Sequence, residues 1–255
     1  MEKTSYAPGT PSWIDIGTPD LPGATAFYSG LFGWDIVDQG PDGGGYCMAE
    51  INGKPVAGLG PAQQPGPPFW TTYVTVEDAD ASAEKVTAAG GQVVVPPFDV
   101  LDVGRMAVCI DPTGAPFSLW QAAKHIGSNL VNEPGTLIWN ELTTRQPDKA
   151  RAFYSEVFGW VPQEDESSGA PYTQWQLDGE SIGGMMVMDD SWPADVPSQW
   201  MVYFNVASAS ASVAKAVELG GTVIVETFPA GPGLIAIVQD PQGAVFSLLE
   251  ITQPM

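Results

Sequence analysis

Residues Ser12 to Thr18 alternate in character from one position to the next, the period of a half-buried strand. From Pro22 to Phe32 the period lengthens. Ala24, Phe27, Tyr28 and Leu31 fall three and four apart, which gathers them on one face of a helix. Gly33 follows, where a helix end favours a residue free to adopt positive φ. Trp34–Val37, Tyr46–Ile51 and Pro55–Leu59 then read as three strands, parted by Gly-rich turns such as Pro41-Asp42-Gly43-Gly44-Gly45. Gly60 to Pro68 is too dense in Pro and Gly for regular structure and reads as a linker between modules. Beyond it, Trp70–Val76 predicts a strand and Ala79–Ala89 a helix ended by Gly90-Gly91. Val93–Val95, Met106–Ile110 and Phe117–Trp120 predict three more strands. Asp111-Pro112-Thr113-Gly114, with Pro second and Gly fourth, predicts a type I turn.

The second half of the chain repeats this plan in its residues. Ala24-Thr25-Ala26-Phe27-Tyr28-Ser29-Gly30-Leu31-Phe32-Gly33-Trp34 returns as Ala150-Arg151-Ala152-Phe153-Tyr154-Ser155-Glu156-Val157-Phe158-Gly159-Trp160. Trp70, Tyr73, Val76, Ala79, Lys85 and Gly90-Gly91 are answered by Trp200, Tyr203, Val206, Ala209, Lys215 and Gly220-Gly221. Asp111-Pro112-Thr113-Gly114 through Phe117-Ser118-Leu119 is answered by Asp240-Pro241-Gln242-Gly243 through Phe246-Ser247-Leu248. Three blocks in one order, at offsets of 126 to 130 residues, identify a duplication. The expected division is a first domain over residues 1–122, a linker over 123–135 and a second domain over 136–255, the linker carrying the single histidine, His125, as a solvated residue.

Composition narrows the function classes. Apolar residues make up 44% of the 255, with nine Trp, enough for a core in each half. Thirty acidic against nine basic residues give a net charge of −21, a field that repels phosphate backbones and anionic lipid surfaces. Nucleic acid and membrane are therefore not expected partners. No run of about 18 apolar residues occurs, and the start, Met1-Glu2-Lys3-Thr4-Ser5-Tyr6, lacks a signal-peptide layout. Cys47 and Cys109 have no counterparts in the second half, so a disulfide framework is not expected and a cytoplasmic location is.

A βαβββ unit used four times, with Phe-Tyr-x-x-x-Phe-Gly-Trp closing its first helix and Asp-Pro-x-Gly-x-x-Phe-Ser-Leu entering its last strand, resembles the glyoxalase/bleomycin-resistance/dioxygenase superfamily, the vicinal oxygen chelate proteins. The likeness covers about residues 10–122 and 136–252. It implies an α+β fold of tandem glyoxalase-like domains, each built from two βαβββ modules whose curved mixed sheet encloses a cleft. Family enzymes hold a divalent metal there, through His, His or Gln, and Glu. Carried onto this sequence, the ligand positions fall on Trp13, Thr71 and Ser118 in one half and Trp139, Met201 and Ser247 in the other. None is a competent ligand set, so neither a metal nor another cofactor is expected.

Strand residues two apart share a face, which places Trp13 with Asp15 and Trp139 with Glu141 toward the clefts. The same rule adds Thr71 and Tyr73, Met201 and Tyr203, Ser118 and Trp120, and Ser247 with Leu249. An aromatic pocket with one carboxylate and one phenol per half suits a planar, apolar small molecule. Three functions follow as expectations. One is a metal-independent protein that binds an aromatic or apolar metabolite or antibiotic, as bleomycin-resistance members do. Another is a metal-free enzyme of secondary metabolism, of hydroxylase or lyase type, with Asp15 or Glu141 and Tyr73 or Tyr203 as acid and base. The last is a stress or interaction protein with vestigial clefts. Monomer and homodimer both remain open.

Overall fold

The structure is a computed structural model that describes residues 1–63, 65–165 and 171–253. The first half contains β1 (Pro11–Thr18), α1 (Leu21–Phe32), β2 (Asp35–Asp38), β3 (Cys47–Ile51), β4 (Lys54–Pro61), β5 (Trp70–Thr75), α2 (Ala79–Ala88), β6 (Gln92–Val100), β7 (Gly104–Ile110) and β8 (Pro116–Ala122). The second half repeats them as β9 (Leu137–Thr144), α3 (Pro147–Phe158), β10 (Val161–Asp165), β11 (Tyr172–Leu177), β12 (Glu180–Val187), β13 (Gln199–Asn205), α4 (Ala209–Glu218), β14 (Thr222–Ala230), β15 (Gly233–Gln239) and β16 (Val245–Ile251). Asp20 caps α1 by accepting from the Gly23 amide, and Gly33 ends the helix at φ 72°, as the sequence predicts.

Each half forms one eight-stranded sheet, ordered β2-β3-β4-β1-β5-β8-β7-β6 in the first and identically in the second. Two four-strand modules join where β1 runs antiparallel to β5. Within each module the outer strand of the central pair is parallel, β1 with β4 and β5 with β8. Sequence-adjacent modules thus share a sheet.

Two boundaries differ from the sequence reading. β4 continues through Gly60 and Pro61, which pair with Gly17 and Thr18, so the predicted linker begins later. Within that linker Gln64 lies outside the described residues, as do residues 166–170 and 254–255 of the second half. β6 extends well past Val95, to Val100. Pro96 and Pro97 cannot donate to a ladder, but β6 is an edge strand, and a register shift between Val95 and Phe98 lets them pass as a bulge.

The helices lie between the two sheets and cross over between halves. α1 packs Phe27 and Tyr28 into a cluster that includes Ile14 and Ile16 from its own half but Phe204, Val213, Phe246 and Leu248 from the other. α3 does the converse, with Phe153 and Tyr154 against Val86, Phe117 and Leu119. Buried hydrogen bonds follow the same crossing. Tyr28 donates to Asp240 Oδ2 at 3.0 Å and accepts from Trp70 Nε1 at 3.1 Å. Tyr154 donates to Asp111 Oδ2 at 2.8 Å and accepts from Trp200 Nε1 at 2.8 Å. Each half therefore completes its core with the other's helix, and the opposite sheet faces are left for the clefts.

Candidate functional site

Strand register decides which side chains share the outer face of each sheet. In the first half Trp13 pairs with Tyr73 and Asp15 with Thr71 across β1 and β5, and Tyr73 pairs with Ser118 on β8. In the second, Trp139 pairs with Tyr203, Glu141 with Met201, and Tyr203 with Ser247. Directly paired residues point to the same side. Each half thus gathers its sequence-derived candidates on one face, with Trp120 and Leu249 extending the row.

The geometry adds a residue per half that the sequence reading missed. Trp13 Nε1 donates to the Tyr46 hydroxyl at 3.1 Å, Tyr46 donates to Asp15 Oδ2 at 3.2 Å, and Tyr73 donates to the same oxygen at 2.7 Å. The second half repeats the chain. Trp139 Nε1 donates to Tyr172 at 2.9 Å and Tyr203 donates to Glu141 Oε1 at 2.7 Å. Tyr172 hydrogen-bonds Glu141 as well. Both new tyrosines follow their tryptophan by 33 residues, a spacing that could have exposed them. Glycine makes room for them on β4 and β12, because a methyl at Gly58 or Gly184 would overlap the Tyr46 or Tyr172 hydroxyl. A small residue under each ring is thus part of the site.

Desolvation dominates the electrostatics. Burial pushes the Asp15 carboxyl up to about 6, with hydrogen bonds from Tyr73, Tyr46 and Thr71 only partly opposing it. Burial also raises Glu141, against hydrogen bonds from Tyr203 and Tyr172. Tyr73 and Tyr203 are held well above the usual phenol range, by burial first and the adjacent carboxylate second. The Ser118 hydroxyl lies near enough to Tyr73 to damp that rise, yet it and Ser247 are buried without a hydrogen-bond partner of normal geometry. These two symmetry-related hydroxyls lie buried beneath the phenol–carboxylate pairs.

The far walls are apolar and open. Val95 and Phe98 on β6 pair with Val108 and Met106, which in turn pair with Ser118 and Trp120, so they share the cleft face. Val225 and Phe228 do the same through Ile237 and Ile235. Phe98 is 42% and Phe228 38% exposed, each beside a 38% exposed valine, Val95 or Val225, so each far wall presents an apolar patch. The near walls differ: Met48 stands beside Gly58 where Gln174 stands beside Gly184. His125 is not solvated. Its ring packs edge-on against Trp13 at 4.4 Å and lies 5.6 Å from Trp120, and burial pulls its pKa down to about 4. The linker folds back over the first cleft, which spacing along the chain could not reveal.

As a metal site the arrangement fits poorly. The positions matched to the family's ligands offer an indole, a thioether and hydroxyls. Among the described residues no three His, Cys, Asp or Glu side chains converge. Each cleft has a single carboxylate, which already accepts from tyrosine, and among the described residues no group of imidazoles or further carboxylates joins it, leaving too few ligands for a divalent ion.

Comparison with known proteins follows the same outline. The profile of the "Glyoxalase/Bleomycin resistance protein/Dioxygenase superfamily" matches residues 10–119, and that of the "Glyoxalase-like domain" matches residues 140–249. A relative from Mycobacterium tuberculosis, "Putative glyoxylase CFP32", is 46% identical across 98% of this chain and 97% of its own length. The chain belongs to the glyoxalase/bleomycin resistance protein/dioxygenase superfamily. Within it, DauV of a Streptomyces species, named as an anthracycline biosynthesis protein, is 36% identical across 98% of this chain and 96% of its own. Solved structures share the fold at low identity. The Mn(II)-bound glyoxalase from Novosphingobium aromaticivorans aligns at TM-score 0.67 and 16% identity, covering 95% of this chain and 82% of that one. The 2,3-dioxygenase LapB from a Pseudomonas species aligns at 0.67 and 13%, covering 96% and 93%. Among the described residues no helix is long and apolar enough to cross a membrane.

Proposed function

We propose that this superfamily member binds a planar, largely apolar small molecule with one or two hydroxyl or carbonyl groups, without metal participation. The observation that carries the reading is the twice-built chain of Trp indole, Tyr, carboxylate and second Tyr, set in a face whose rim leaves Phe98 and Phe228 exposed. The rim offers flat apolar contact, and the tyrosine–carboxylate chain offers polar groups that orient a ligand. Net charge of −21 favours neutral or cationic ligands over anions. Polycyclic aromatic metabolites have this shape, and a relative named for anthracycline biosynthesis supports that class.

A second reading has its own support. A carboxyl near pKa 6 at Asp15 is poised to exchange a proton close to neutrality, the property of a general acid or base. Titration with a hydroxyanthraquinone while following tryptophan emission, in the wild type, Trp13→Ala and Trp139→Ala, tests the first reading. Quenching with a Kd tighter than about 1 mM, weakened by at least one substitution, is expected. Absence of binding, or binding indifferent to both substitutions, would refute it. A product formed in excess over protein, and lost in Asp15→Asn or Glu141→Gln, would favour the enzymatic reading.

A further inference from the structure

Duplication built two clefts, but the chain leaving β8 treats the first one differently. The Ala123 and His125 amides both donate to the Val103 carbonyl at 3.0 Å, and Trp120 Nε1 donates to the His125 carbonyl at 2.8 Å. These bonds hold the imidazole edge-on to the Trp13 indole and over Trp120. In consequence Trp13 is 3% and Trp120 4% exposed. Asp15 beside them keeps some exposure, so the imidazole covers the aromatic side of the cleft rather than its carboxylate.

The second cleft has no such cover among the described residues. Trp139 is half-buried and packs beside the aliphatic Met201, Leu249 and Ile235, with no aromatic ring stacked on it. The residue five beyond Leu249, matching His125 five beyond Trp120, is a proline, Pro254, outside the described residues. Among the described residues a flat ring is thus seated on the first cleft's tryptophan and none on the second's.

His125 is a poor permanent filling. Its Nε2 is buried without a hydrogen-bond partner, a cost that an apolar side chain of like size would avoid. Its upstream neighbours Ala123 and Lys124 are exposed, while downstream Gly127 and Ser128 are buried against β1. Withdrawal therefore requires breaking the Val103 and Trp120 hydrogen bonds rather than unpacking the segment that follows. A ring that occupies a ligand's place, held through a few backbone hydrogen bonds and with an unmet polar atom, is a removable occupant.

We propose that the second cleft, entered over the half-buried Trp139 with Glu141 buried beneath, is the open ligand site, and that His125 is an internal stopper that closes the first cleft against the same class of ligand. The proposal rests on the small-molecule reading given above.

The experiment uses the full chain and the planar probe quinizarin, in wild type, His125→Ala, His125→Phe and their combinations with Trp13→Ala or Trp139→Ala. Wild type should bind one equivalent, weakened at least tenfold by Trp139→Ala and unaffected by Trp13→Ala. His125→Ala should gain a second equivalent that Trp13→Ala removes, and His125→Phe should keep the wild-type stoichiometry. A ligand-free arm runs beside it. Acrylamide quenching of tryptophan should rise in His125→Ala, the increment shrinking when Trp13 is replaced by Phe, and stay at the wild-type level in His125→Phe. Two equivalents in the wild type, a single equivalent abolished by Trp13→Ala, or weaker binding in His125→Ala without a gain would each overturn the stopper, as would unchanged quenching. Absence of binding in every variant would instead overturn the small-molecule reading and the open site with it, while the quenching arm still decides whether His125 covers the indoles.

Discussion

Replacing Asp15 by Asn should make the protein more stable at alkaline pH, although Asp15 sits at the centre of its cleft's hydrogen-bond chain. The carboxyl titrates at about 6 in the folded protein against an ordinary 3.8. Between those values the folded state holds a proton that the unfolded state has released, so stability falls as pH rises across that window. The difference corresponds to about 3 kcal/mol of folding free energy withheld at pH 8. Asn carries no charge to desolvate, but it accepts more weakly from Tyr46 and Tyr73 and brings an amide donor with no partner, together costing about 1 kcal/mol. The expected balance is Asp15→Asn more stable than wild type by about 2 kcal/mol at pH 8 and less stable by about 0.5 kcal/mol at pH 4, which already lies just above the unfolded pKa. His125 opposes this trend in the wild type. Its pKa, lowered by burial to about 4, adds stability as pH rises from about 4 to 6.5, so only the difference between variant and wild type isolates Asp15. Reversible urea unfolding at pH 4, 6 and 8 measures it. A variant equally destabilised at all three values would refute the argument, since it would mean that the Asp15 charge is well solvated or well paired.

Two further outcomes follow from the packing. Gly184→Ala should push Tyr172 away from Glu141 and crowd Trp139 Nε1, lowering stability by about 1–3 kcal/mol and red-shifting tryptophan emission; unchanged unfolding and spectra would show that the ring has somewhere else to go. Residues 1–122 expressed alone should lack the dispersed NMR spectrum of a folded domain, because Phe27 and Tyr28 would lose the Phe204, Phe246 and Leu248 surface on which they are buried; a well-dispersed spectrum would refute the crossed core.

The sequence by itself determined the duplication, the alternation of strands and helices, and which strand residues share one face of each sheet. Those features are local or repeated. A strand's period of two places Trp13 with Asp15, and a helix's spacing places Phe27 with Tyr28, whatever surrounds them. Repetition then carries each assignment across the chain, which is why Trp139, Glu141, Met201, Tyr203 and Ser247 were legible with their first-half counterparts. Tyr46 and Tyr172 were not, because they reach the carboxylate from two strands away, over a glycine on the strand between. The prolines in β6 hid its length, since only pairing shows that the edge of a sheet tolerates them. The crossing of α1 and α3 between halves, and the return of His125 over Trp13, depend on contacts between residues more than 100 apart along the chain. No periodicity encodes such contacts. They are set by which apolar faces remain uncovered once both sheets have formed, and that is decided only when the whole chain packs.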